Sequence, residues 1–241
     1  MKIWILVSLL TLSLFGADLK NGSAEYSKGS KTKAIEGLKK ACDGGDVESC
    51  NYLGNIYDNG AGVREDKCKA VGLYKIACDG GIVNGCSNLG LMYFNAEGIE
   101  QNKVKAAELL KKACDGGSIG SCENVGLMYA NGEGVKQDKV KAAELLKTAC
   151  DSGIANSCSH LGLMYANGEG VIQDKIKVVE LWTKACDGGD ARSCFNLGFM
   201  YLDGYGVKQD KKRAKELLGR ACYGGSVGSC KNYEILNEQG F

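Results

Sequence analysis

Twelve of the thirteen cysteines in this 241-residue chain fall on two interleaved 36-residue rulers. One ruler carries Cys42, Cys78, Cys114, Cys150, Cys186 and Cys222; the other carries Cys50, Cys86, Cys122, Cys158, Cys194 and Cys230. Each pair is separated by seven residues, as in Cys114-Asp-Gly-Gly-Ser-Ile-Gly-Ser-Cys122. Cysteine at fixed spacing offers disulfide or metal chemistry. A structural zinc site wants ligands a few residues apart, twice over, often with histidine. Here the gap is seven and His160 is the single histidine, so the pairs read as disulfides and no metal or other cofactor is expected. Evenly spaced disulfides belong to an oxidising compartment.

A period of this length is the mark of a repeat array, in which each unit buries its apolar face on its neighbours. Residues 114–149 show the unit. Lys141-Ala-Ala-Glu-Leu-Leu-Lys-Thr-Ala149 spaces alanine and leucine as an amphipathic helix does, and Asp138 stands before it as an N-cap. The same slot holds Asp66, Asn102, Asp174 and Asp210. This helix, B, is expected to stop at Gly80, Gly116 and Gly188 in a left-handed conformation. Helix A follows the cysteine gap and contains a glycine at 54, 90, 126, 162 and 198. A helical glycine costs about 1 kcal/mol against alanine, so its recurrence predicts close approach of a neighbouring helix. Tyr57, Tyr93, Tyr129, Tyr165 and Tyr201, three residues further on, read as packing residues. Asn131-Gly132-Glu-Gly134-Val135 makes the A–B turn, with Val135 tucked under it.

The first cysteine thus ends helix B and the second lies in the first turn of the next helix A. Antiparallel helices bring such points within the roughly 4.4–6.8 Å between Cα atoms that a disulfide needs. The fold class is therefore an all-α solenoid, spanning residues 18–241 as a single domain. Residues 19–28 read as a degenerate first helix A, Thr32–Cys42 as its helix B, and 230–237 as a final capping helix. The first 17 residues read as a secretory signal peptide: Lys2, an apolar run from Ile3 to Phe15, then Gly16 and Ala17. The expected location is secreted or periplasmic, with no membrane span in the mature chain. Thirty basic and 29 acidic residues interleave, so no phosphate-neutralising face, and hence no nucleic-acid partner, is expected.

The string Asn-Leu-Gly-x-Met-Tyr-x-x-Gly-x-Gly-Val, followed by Lys-Ala-x-Glu-Leu-x-x-Lys-Ala-Cys-Asp-Gly-Gly, resembles the Sel-like repeat, a relative of the tetratricopeptide repeat. Leu197, Gly198 and Tyr201 match its helix A, and Ala142, Leu146 and Ala149 its helix B. The paired cysteines add a resemblance to the Helicobacter cysteine-rich protein family. That resemblance implies right-handed superhelices with a concave groove lined by helix A. It also implies two functions, penicillin binding or β-lactamase activity, and secreted factors met by a host.

Serine β-lactamases combine Ser-x-x-Lys with Ser-Asp-Asn and Lys-Thr-Gly elements. The chain has Ser30-Lys-Thr-Lys33 alone, which reads as a helix N-cap, and neither other element. A metallo-enzyme would need several histidines. Two readings stay open: a secreted scaffold binding a peptide, a peptidoglycan fragment or a host protein, and a weak hydrolase of β-lactams. The candidate groove residues are Asn88, Asn124, His160, Asn196 and Asn232, one slot of helix A where amides could bond a peptide backbone or carboxylate. The same slot also reads as an ordinary exposed polar face. Beside it, Glu123, Ser159, Phe195 and Lys231 vary as a ligand-reading surface would. Lys105, Lys141, Lys177 and Arg213, three residues before glutamates, read as a solvated face of intrahelical pairs. Cys68, in a slot otherwise held by Val104, Val140 and Ile176, reads as a small buried apolar residue.

Overall fold

Asp or Asn at one slot fixes where helix B begins in the repeats from Lys67 onward. Asp66, Asn102, Asp138 and Asp210 accept the backbone N–H three residues on, at 2.9–3.0 Å. Asp174 accepts the amides of Ile176 and Lys177. The cap's own N–H closes on the carbonyl of the helix A tyrosine, from Asp66 on Tyr57 to Asp210 on Tyr201, so the turn is bonded at both ends. A glutamine the sequence reading passed over braces the same turn. Gln101, Gln137, Gln173 and Gln209 each donate to the carbonyl seven residues before them.

The computed structural model describes residues 31–241, and among them every regular element is an α-helix. The proposed signal peptide, the degenerate first helix A and Ser30 lie outside the described residues. Two compact units divide the chain at Ser118 and Ile119. The first holds α1 (Lys31–Asp43), α2 (Val47–Asn59), α3 (Lys67–Asp79), α4 (Val83–Asn95) and α5 (Lys103–Asp115). The second holds α6 (Ile119–Asn131), α7 (Lys139–Asp151), α8 (Ala155–Asn167), α9 (Lys175–Asp187), α10 (Ala191–Asp203), α11 (Lys211–Tyr223) and α12 (Val227–Glu238). Even-numbered helices are of type A and odd-numbered ones of type B. Within each unit, neighbours in sequence are neighbours in space, which is the architecture of an α-solenoid.

The alanine and leucine stripe of helix B packs on the leucine and methionine stripe of helix A. In the second unit, Leu146, Leu161, Met164 and Leu181 form one buried cluster, and Trp182, Leu197, Met200 and Leu217 form the next. Tyr129, Tyr165 and Tyr201 pack against these clusters, and Tyr57 against its counterpart in the first unit, as packing residues should. The helix A glycines are where helix B comes closest. A Cβ on Gly54 would lie 2.7 Å from the Tyr74 ring, on Gly90 2.8 Å from Leu110, and on Gly198 2.9 Å from Leu218.

Five disulfides join the end of one helix B to the start of the next helix A: Cys42–Cys50, Cys78–Cys86, Cys150–Cys158, Cys186–Cys194 and Cys222–Cys230, with Cα separations of 4.5–4.8 Å. Cys114 and Cys122 are disulfide-bonded as well.

Two expectations need correction. The left-handed residue after helix B is the second glycine, Gly81, Gly117 or Gly189 at φ of 90–96°, and not the first. Gly80 and Gly188 have φ of −77°, which any residue adopts. What keeps them small is contact: a Cβ on Gly80 would meet Val47 at 2.4 Å, and one on Gly188 would meet Ala155 at 2.6 Å. Cys68 is not buried. It is a free, exposed thiol, and the slot's other occupants Val104, Val140 and Ile176 are 57%, 57% and 75% exposed. The position lies in the first turn of helix B on the side away from helix A, so an apolar residue there fills no core.

Candidate ligand-binding face

The helix A slot chosen from sequence meets different fates in different repeats. In the first unit Asn88 donates to Asn55 Oδ1 at 3.1 Å, and the same oxygen accepts from Tyr74 at 2.7 Å. Tyr74 is fully buried; burial first, and the nearby Asp58 carboxylate second, push its phenol well above the usual range. This amide is therefore part of a structural network around a buried hydroxyl. In the second unit Asn124 is half-buried. His160 Nδ1 lies 2.9 Å from the carbonyl of Asn156, so that nitrogen carries the proton. Asn232 turns back to the Gly228 carbonyl of its own helix. Asn196 lines a cavity.

The neighbouring slot is likewise divided. Ser159 is buried, which corrects its reading as ligand-facing surface. Ser193 Oγ donates to Ser159 Oγ at 2.8 Å, Ser159 donates to Asp190 Oδ1 at 3.1 Å, and the Ser193 amide closes on that same oxygen. Burial alone would raise the Asp190 carboxyl, but these donors outweigh it and hold the group below its ordinary value. Glu123 accepts from Asn156, and Lys231 is exposed. Phe195 packs against Phe199, with ring centroids 4.9 Å apart.

Of the cationic stripe, Lys177 and Arg213 pair with Glu180 and Glu216 at 2.9 Å, as expected for a solvated face. Lys105 and Lys141 also lie over tyrosine rings, 4.7 and 4.2 Å from the centroids of Tyr93 and Tyr129. That second contact was not legible from spacing along one helix, because the rings belong to the helix before.

The cavity encloses about 240 Å³ between α9, α10 and the turn that follows α10. Trp182, Phe195, Phe199 and Tyr205 wall it, Asn196 supplies an amide, and Lys175 supplies an ammonium. Trp182 is held in place by its indole N–H, which donates to the Ser159 carbonyl at 3.2 Å. The volume suits one side chain, since drug-sized ligands occupy roughly 300–1,000 Å³. The lining offers aromatic surface, an amide that can both donate and accept, and one positive charge. Among the described residues no cluster of three or more His, Cys, Asp or Glu side chains is placed to hold a metal ion, and no helix is long and apolar enough to cross a membrane.

The family model described as Sel1 repeat matches residues 47–82, 83–118, 120–154, 155–190 and 191–226, each one helix A and the helix B after it. The chain belongs to the Sel1 repeat family. Its Sel1 array is similar to the solved structure of c5321, described as a protective antigen of uropathogenic Escherichia coli with this repeat fold. That likeness has a TM-score of 0.88 at 26% identity, over 96% of this chain and 50% of the other. A Sel1 repeat protein from Oxalobacter formigenes is similar over 90% of this chain and 86% of its own, with a TM-score of 0.80 at 24% identity. Among curated proteins, HcpE of Helicobacter pylori strain J99, provisionally named as a beta-lactamase, is 47% identical over 45 residues, 19% of this chain and 13% of HcpE. The chain thus spans half the length of the E. coli structure and a small part of HcpE. The disulfide-stapled framework is that of an extracytoplasmic protein.

Proposed function

We propose that this chain is an exported Sel1-repeat scaffold whose type A helices bind a peptide or a peptidoglycan-like, peptide-bearing ligand, with the α9–α10 cavity as the anchoring point. The observation that supports this most is the cavity itself, a side-chain-sized aromatic pocket that opens beside Asn196, a residue of the amide slot. Buried aromatic anchors supply much of the affinity in recognition of this kind, and an adjacent amide fixes the register of a peptide backbone. Residues 1–17 act in this reading as the export leader, which mass spectrometry of the mature chain from a periplasmic or culture fraction checks directly.

The test is titration of the oxidised chain with muropeptides and a peptide library by calorimetry. Binding that Phe199→Ala or Asn196→Ala weakens about tenfold or more supports the reading; absence of any binder sinks it. The rival is a weak β-lactamase, favoured by the local identity with HcpE and its name. Incubation with a chromogenic cephalosporin and a penicillin, following turnover and intact mass together, separates the two. Turnover lost in Ser30→Ala or His160→Ala establishes the hydrolase, a stable acyl adduct without turnover establishes a penicillin-binding scaffold, and neither leaves non-covalent recognition.

A further inference from the structure

Three of the lysines that open a helix B, Lys67, Lys103 and Lys139, have a glutamate thirty residues on, in the A–B turn of the next repeat, whereas Lys31 and Lys211 have Ala61 and Phe241 there. Lys67 reaches Glu97 at 3.2 Å and Lys139 reaches Glu169 at 2.9 Å. Glu133 occupies the same slot in another repeat. At Lys175 that position, 205, is tyrosine. The Lys175 ammonium lies 3.9 Å from the centre of the Tyr205 ring, and among the described residues it has no carboxylate partner.

The α9–α10 pair departs from the pairs before it at three further places. Trp182 replaces the leucine of Leu110 and Leu146, Phe199 replaces that of Leu127 and Leu163, and Phe195 stands where Ser87 and Ser159 do. All five changed or unpaired groups line one cavity. The aromatic side chains give the cavity apolar walls, and the Lys175 ammonium at its edge makes it electrostatically complementary to an anion.

Resting on the peptide-binding reading above, we infer that this cavity takes the C-terminal residue of a peptide: an apolar side chain against Trp182, Phe199 and Tyr205, its backbone amide on Asn196, and its free carboxylate on Lys175. The three groups needed are an apolar body, a peptide amide and one negative charge, and a chain terminus carries them on adjacent atoms. The ligand's carboxylate takes the place that Glu97 and Glu169 hold beside Lys67 and Lys139.

The experiment uses the full oxidised chain with Trp4→Phe, which leaves Trp182 as its sole tryptophan. The probes are acetyl-Gly-Gly-Phe as free acid and as C-terminal amide, followed by Trp182 emission and calorimetry. The acid should bind about tenfold tighter than the amide, the scale of one charge-assisted contact. Lys175→Gln and Tyr205→Glu should both erase that difference, the second by placing at 205 the glutamate found at 97, 133 and 169. Because the readout is the acid-to-amide ratio, a general loss of apolar contact in Tyr205→Glu does not mimic it. Equal affinity for acid and amide, or a preference that survives both variants, overturns the inference. If both forms then still bind and depend on Asn196, peptide recognition stands and only the carboxylate assignment falls. If neither form binds, the inference falls, and the muropeptide titration decides the broader reading separately.

Discussion

Alanine in place of Gly162 should destabilise the fold although alanine is the better helix former. Gly162 lies inside α8, and a Cβ there would sit 2.5 Å from Trp182 Nε1 and 2.6 Å from its Cδ1. Any withdrawal of the ring, toward the cavity that it walls, breaks the bond from its N–H to the Ser159 carbonyl. The helix gains about 1 kcal/mol in propensity. Overpacking costs about 1–3 kcal/mol, and a displaced indole bond about 1 more. The net expectation is a loss of about 1–3 kcal/mol. Two other glycines bracket the case. A Cβ on Gly126 meets Leu145 and Leu146 at 3.2 Å, so Gly126→Ala should be near neutral. Gly72, inside α3 with nothing within 4 Å of a Cβ, should gain about 0.5–1 kcal/mol as alanine. Repeat arrays need not unfold all at once, so each site needs a local probe. Urea titration read by Trp182 emission in a Trp4→Phe background reports on 162 and 126, and amide exchange of residues 67–79 reports on 72. A Gly162→Ala protein as stable as its parent by Trp182 emission would refute the close-approach argument.

Other expectations follow from single features. Each staple closes a loop with a sequence separation of eight, for which chain entropy gives about 2.6 kcal/mol; Cys222→Ser with Cys230→Ser should lower local stability around α11 and α12 by that order, measured by amide exchange. Asp190 titrates below its ordinary 3.8 when folded, so it adds stability above that pH and the stability is lost as pH falls through the lowered value. Asp190→Asn, still a competent cap, should flatten the acid limb of a Trp182 unfolding curve; an unchanged limb would show the carboxylate network to be energetically idle. Under native, non-reducing conditions a maleimide should add once, at Cys68, and Cys68→Ser should take no label.

Period, helix types and caps were legible because they are local. An aspartate before an amphipathic run has few other uses, and a glycine repeated inside a helix demands a close neighbour, found at Gly54, Gly90 and Gly198. The failures share a cause. Cys68 and its valine slot look apolar in sequence, but one residue along a helix is a hundred degrees of rotation, enough to move the slot from core to solvent. The two glycines after helix B were confused because one is demanded by backbone conformation and the other by a side chain in the preceding helix A. Ser159 was read as surface, since its partners Asp190 and Ser193 lie a full repeat away. The cavity was hardest to see. Its signature is a set of exchanges, Tyr205 where the three preceding repeats have glutamate and Trp182 and Phe199 where the two preceding repeats have leucine, and it surfaces only when repeats are laid over one another.

The position of the staples has a bearing on survival among proteases. The stretch between the cysteines of a pair, such as Asp43–Asp46, is a turn between helices with several exposed residues, and such turns are where chains are preferentially nicked. In this chain a cut there falls inside a covalent ring, with Cys42 and Cys50 on either side of it. The fragments stay tethered, and the two helices that the turn joined remain docked. A single hit at any of these turns is silent, and a repeat is released only when a second cut lands in the bonded A–B turn or in a helix.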